Sequence, residues 1–193
     1  MCATRTANKL NVRAVADDLG LPYRTVGAYL AHLQNVFLLH LVPGWSRNLT
    51  SKVVHRPKVL VADSGLAAHL VGVDAVALAD PTAPVGPLIE TFVAMELRKQ
   101  LDWAETDASM FHFRDRGGAE VDIVLESRQG RVAGIEVKAS STARADDFRG
   151  LRLLADRLGR RFAGGLVVYT GNDAVRFGER LAAVPLSTIW ETT

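Results

Sequence analysis

The chain has 193 residues, 48% of them hydrophobic and 23% charged, with a formal net charge of +2. That length holds one domain, or a small one joined to a medium one, and the apolar content is too high for a disordered chain. No run approaches the roughly 18 uncharged apolar residues of a membrane span. The single cysteine, Cys2, excludes an internal disulfide and a Cys-cluster metal site. Without a G-x-x-x-x-G-K-[ST] loop to cradle phosphates, the chain acting alone is no ATPase. Its opening, MCATRTANKL, lacks the apolar core of a secretory signal, so a cytoplasmic location and no membrane partner are expected.

Charge is unevenly spread. Residues 1–60 carry eight basic and two acidic residues, a net of +6, and the remainder carries −4. A basic first third beside a mildly acidic remainder suggests contact with a polyanion, the alternative being a solvated positive face.

Asn11 to Leu19 reads as a helix, because Val12, Val15, Ala16 and Leu19 recur on one stripe. Gly20 stops it and Pro22 opens a second helix, whose apolar pattern runs Val26, Tyr29, Leu30, Leu33. Ala16, Gly20 and Val26 stand where a helix-turn-helix needs a small crossing residue, a turn glycine and a branched anchor. A plain αα-hairpin is the alternative. The second helix would present Arg24, Thr25, Ala28 and His32 outward, toward a major groove. Phe37 to Val42 reads as a strand ended by Pro43-Gly44, and Lys58 to Ala62 as its partner. The loop between them carries Arg47, Lys52 and Arg56 around the aromatic Trp45. Two helices followed by a basic hairpin make a winged helix-turn-helix, whose wing would touch DNA phosphates without reading sequence. A winged helix that docks protein is the alternative. Asp63-Ser64-Gly65 opens a short helix to Leu70, and residues 71–86, with two prolines and two glycines, read as linker.

Pro87 to Leu101 is the next helix. Glu90 shares a stripe with Ala94, Leu97 and Leu101, so its carboxylate at the core edge needs a cation, a donor or a metal. Strands follow at Ser109–Arg114, Glu120–Glu126 and Val132–Ala139. A hairpin centred on Gln129 sets Asp122 opposite Glu136 and Glu120 opposite Lys138. Opposed carboxylates repel unless something positive sits between them. Magnesium, which takes one or two carboxylates plus water and phosphate oxygens, answers that need; Lys138, on the face of Glu136, would orient and deprotonate an attacking water. A salt-bridged hairpin with a wet face is the alternative. Asp146 to Leu158 is an amphipathic helix, Gly165 to Tyr169 a buried strand parallel to the third, and Leu186 to Trp190 a closing segment.

The string Asp122…Ile135-Glu136-Val137-Lys138, preceded by Glu90 on a helix, resembles the PD-(D/E)XK nuclease fold. Lys58-Val-Leu-Val-Ala-Asp-Ser-Gly-Leu66, Gly86-Pro-Leu-Ile-Glu-Thr-Phe-Val93, Glu120-Val-Asp122 and Ile135-Glu-Val-Lys138 are similar to the C-terminal region of a bacterial and archaeal AAA+ ATPase family. That region is known as domain of unknown function 4143. The resemblance implies an α/β chain: a winged helix-turn-helix over 1–72, a linker over 73–86 and a nuclease-like αβββαβ domain over 87–193. It also implies Mg²⁺ or Mn²⁺ held by Asp122 and Glu136, with Lys138 as catalytic lysine and Glu90 as accessory acid. The expected partners are double-stranded DNA, met by Arg24, Thr25, Arg47, Lys52 and Arg56, and an ATPase module, which precedes this region in the family and is absent from this chain.

Overall fold

A computed structural model describes residues 1–46, 56–79, 83 and 85–191. The chain divides into two compact units, one of residues 1–43 and 54–95, the other of residues 44–53 and 96–193. It is a mixed α/β protein, and among the described residues no helix is long and apolar enough to cross a membrane.

In the first unit, β1 (Asn8–Lys9) precedes α1 (Val12–Leu19) and α2 (Tyr23–Asn35). The hairpin strands β2 (Leu39–Val42) and β3 (Lys58–Val61) and the short helix α3 (Ser64–Leu70) follow. The strands form an antiparallel sheet in the order β1-β3-β2. Local chemistry sets the ends. The Asn11 carboxamide accepts the Ala14 amide at 3.4 Å and the Asp63 carboxylate accepts that of Leu66 at 2.6 Å, each capping a helix start. Gly20 closes α1 with φ of 63°, the left-handed conformation that glycine adopts freely. Val15, Ala16, Val26 and Leu30 are buried against Leu39, Val59 and Val61.

Two apolar stripe positions depart from expectation: Leu19 is 44% and Tyr29 55% exposed, because neither is covered by the sheet. The strand expected from Phe37 starts two residues later. Phe37 instead ends α2 with φ of 58°, a conformation that costs a side-chain-bearing residue about 1 kcal/mol.

The helix α4 (Val85–Trp103) runs from residues of the first unit into those of the second. The second unit continues with β4 (Ala108–Arg114), β5 (Glu120–Ser127), β6 (Val132–Lys138), α5 (Arg149–Leu158), β7 (Phe162–Tyr169), β8 (Val175–Gly178) and β9 (Leu181–Pro185). The six strands lie in the order β4-β5-β6-β7-β9-β8. β6 is parallel to β7 and β7 to β9, while the other neighbours are antiparallel. β8 and β9 extend the sheet beyond the four strands expected. Phe148, just before α5, and Leu151 and Leu154 on it are fully buried among Val121, Val124, Val132, Phe162 and Val167. Each such side chain contributes about 2 kcal/mol of apolar burial.

Trp45 corrects the expected basic wing. Instead of standing in solvent among Arg47, Lys52 and Arg56, it is 5% exposed within the second unit. Its indole N–H donates to Glu126 Oε2 at 2.9 Å, and its ring meets Phe113 edge-on at 6.2 Å between centroids. An indole enclosed in this way cannot stack on a base. Arg47 and Lys52 lie outside the described residues.

Candidate functional site

The site forms at one end of the β5–β6 pair. Ile123 pairs with Ile135, Val124 with Gly134 and Leu125 with Ala133, the register of a hairpin centred on Gln129. One step beyond Ile123 and Ile135 in that register stand Asp122 and Glu136. There the main-chain ladder gives way to a side chain: Asp122 Oδ2 accepts the Val137 amide at 3.0 Å. This bond fixes the Asp122 carboxylate against β6, which is itself held on its other side by β7.

Glu136 is 9% exposed, and its Oε1 accepts a hydrogen bond from Lys138 Nζ at 2.8 Å. The positive charge demanded by two neighbouring carboxylates is therefore supplied, in the chain by itself, by the lysine two residues along the same strand. Burial pushes the Lys138 pKa down, but its hydrogen bond to Glu136 and the charges of Glu136, Asp122 and Asp147 outweigh that, and the net shift is upward. At neutral pH Lys138 is an ammonium. It orients water and offsets negative charge; it has no lone pair with which to accept a proton. Asp147, whose carboxylate accepts the Arg144 amide at 2.7 Å just before α5, is a contributor that sequence reading did not single out.

Glu120 does not reach across to Lys138. It pairs with Arg114, its register partner on β4. Glu90 belongs to the first unit, where its Oε1 lies 2.5 Å from Nζ of the buried Lys58 on β3. The expected partner of that carboxylate is thus a cation. Lys58 had figured only as part of the N-terminal charge and the start of a strand, and the lone acid on the α4 stripe was the signal that such a cation must exist. Arg24, Ala28 and His32 are exposed on α2, Thr25 is half-buried, and Arg56 is exposed just before β3.

The donor set fits a hard divalent cation. Asp122 and Glu136 offer carboxylate oxygens, and magnesium takes one or two of these with water and phosphate oxygens filling the rest. Among the described residues no group of three or more His, Cys, Asp or Glu could hold a metal, so the remaining ligands would be solvent or substrate.

A separate charge pair near one end of α5 has a pH signature. A hydrogen bond from Arg157, at 2.6 Å, followed by that from the Gly117 amide, holds the Asp115 carboxyl below its ordinary value of 3.8. A lowered carboxylate adds stability above its unfolded pKa and loses it as pH falls through the folded one. Arg157→Gln should therefore lower the melting temperature at neutral pH and leave it unchanged in strong acid, as a melting series against pH will register.

Comparison with known proteins places these residues. The sequence profile of DUF4143, a domain of unknown function, matches residues 85–189, more than half of the chain. The chain belongs to the DUF4143 family. Glu90, Asp122, Glu136 and Lys138 all fall within the DUF4143 match. A second profile, that of the domain of unknown function DUF8612, matches residues 1–77. Uncharacterized proteins of Mycobacterium bovis and Mycobacterium tuberculosis are each 27% identical over 179 residues, or 92% of this chain and 38% of the relative. The chain thus spans well under half the length of these relatives. No solved structure matches it significantly.

Proposed function

We propose that this DUF4143 chain is a DNA-binding protein whose second unit is a PD-(D/E)XK-like domain that hydrolyses phosphodiester bonds with Mg²⁺ or Mn²⁺. The observation that carries this reading is the meeting of Asp122, Glu136 and Lys138 where the β5–β6 ladder ends, with Asp122 tied to the Val137 amide and Lys138 to Glu136. The run of α4, three antiparallel strands, α5 and a parallel fourth strand supports it. In the first unit, two helices followed by an antiparallel hairpin, with β1 as a third strand, support a winged helix-turn-helix that would position the duplex through Arg24, Thr25 and Arg56, together with Arg47 and Lys52.

Asp122 and Glu136 would hold the ion. When bound, a divalent metal lowers the pKa of a coordinated water and neutralises charge on the phosphate. The Val137 amide keeps one carboxylate aimed while leaving its second oxygen available. Lys138 keeps a positive charge on Nζ beside Glu136, where it steadies a water and offsets charge building on phosphate oxygens.

Purified protein with Mg²⁺ or Mn²⁺ should nick supercoiled plasmid, and Asp122→Asn or Lys138→Ala should slow this by about 100-fold or more with the melting curve retained. Plasmid left intact across metals, salts and protein excess rejects the reading. A second reading, a non-catalytic DNA-binding or assembly module serving an ATPase, is favoured by Glu90, whose carboxylate is engaged with Lys58. It predicts salt-dependent DNA binding that survives Asp122→Asn and weakens with Arg24→Ala, Arg47→Ala or Lys52→Ala.

A further inference from the structure

Helix α2 ends in a way that ordinarily calls for glycine. The Leu38 amide bonds the Leu33 carbonyl at 2.9 Å and the Phe37 amide bonds that of Gln34 at 3.0 Å, with Phe37 left-handed between them. This is a Schellman closure, and its left-handed position disfavours any bulky side chain. Phe37 gains little inside its own unit in return, since it is 74% exposed. A residue that breaks a local rule without a compensating contact marks a place selected for something other than the fold.

The residue after it lines a groove. Leu38, with Leu19 of α1, Tyr29 of α2 and Leu66 and Leu70 of α3, borders a cavity of about 360 Å³ to which no charged side chain contributes. These five are also among the exposed large apolar residues of the described chain. Scattered singly they would be ordinary; gathered around one groove, beside a projecting aromatic, they mark a protein interface.

We propose that this face of the first unit is a self-association surface, in which Phe37 of each of two copies enters the apolar groove of the other. A second copy is favoured because one face carries both the knob and the hole, as a two-fold interface requires. A lining with no Lys or Arg does not suit nucleic acid, whose phosphates need cations.

Sedimentation of the whole chain over a concentration series, with Phe37→Gly and Leu70→Glu alongside, tests this. The wild type should pass reversibly from monomer to dimer, and each variant should weaken association by about tenfold or more. Phe37→Gly should also raise the melting temperature of the dilute monomer by about 2–4 °C, because glycine relieves the backbone. A wild type that stays monomeric up to its solubility limit overturns the proposal, whatever protein or DNA this face then binds. So does a Phe37→Gly variant that dimerises as tightly as the wild type, or one that melts lower, which would make Phe37 part of the fold.

Discussion

Gly150→Ala should cost the second unit about 3 kcal/mol or more, enough to bring it close to unfolding. A methyl group built on Gly150 would lie 1.8 Å from the Glu120 carbonyl oxygen and 2.8 Å from its carbon. Both obstacles are main chain, which has no rotamer to retreat into, so either α5 lifts from the sheet or β5 bends. Lifting α5 opens the core around Leu151 and Leu154, and bending β5 moves Asp122, two residues from Glu120. Gly134→Ala is the internal comparison. The nearest atom to its new methyl is Leu151 Cδ2 at 2.6 Å, the end of a side chain that can turn aside, and the loss should be smaller. Urea denaturation reads both: the midpoint should fall by about 1 M or more for Gly150→Ala and by less for Gly134→Ala. An unchanged midpoint for Gly150→Ala would contradict the close approach of helix and strand.

The second large effect belongs to the buried pair in the first unit. Lys58→Met leaves Glu90 without its cation beneath α4 and should cost about 3–5 kcal/mol, since removing one partner strands a desolvated charge. Lys58→Met combined with Glu90→Leu should recover most of that loss, because well-packed apolar residues replace such pairs at little cost. The same comparison assigns Glu90 its role. A structural partner makes Glu90→Gln destabilising whether or not metal is present, whereas an accessory acid used only in cleavage would leave the denaturation midpoint where it is. Guanidinium or urea titration of the two single variants and the double variant separates these outcomes.

How much of this was legible in the sequence differs from element to element. The register of β5 on β6 is readable because apolar and charged residues alternate strictly on both sides of a turn ending at Gly130, and a one-residue slip would turn every side chain over. Asp122, Glu136 and Lys138 follow from that register. That the ladder hands over to the Asp122 side chain at this point does not follow, for it depends on how the strands splay at their ends. The Trp45 environment was out of reach for another reason: its hydrogen-bond partner Glu126 lies 81 residues away, and basic neighbours in sequence say nothing about a distant acceptor. Periodicity placed Leu19 and Tyr29 on apolar stripes correctly but cannot report whether anything covers a stripe. β8 and β9 escaped notice because β8 is four residues long and mostly exposed, and β9, with two alanines and a terminal proline, carries little strand signal of its own. Its pairing with β7 is what makes it a strand.

The central claim is that Asp122 and Glu136 together receive a divalent cation, with Lys138 beside them. Isothermal calorimetry of Mn²⁺ into the whole chain and into Asp122→Asn tests it most directly. The account predicts saturable, single-site heat for the wild type that Asp122→Asn abolishes while its melting curve is preserved. Absence of binding heat in the wild type, or the same isotherm in both proteins, would contradict it.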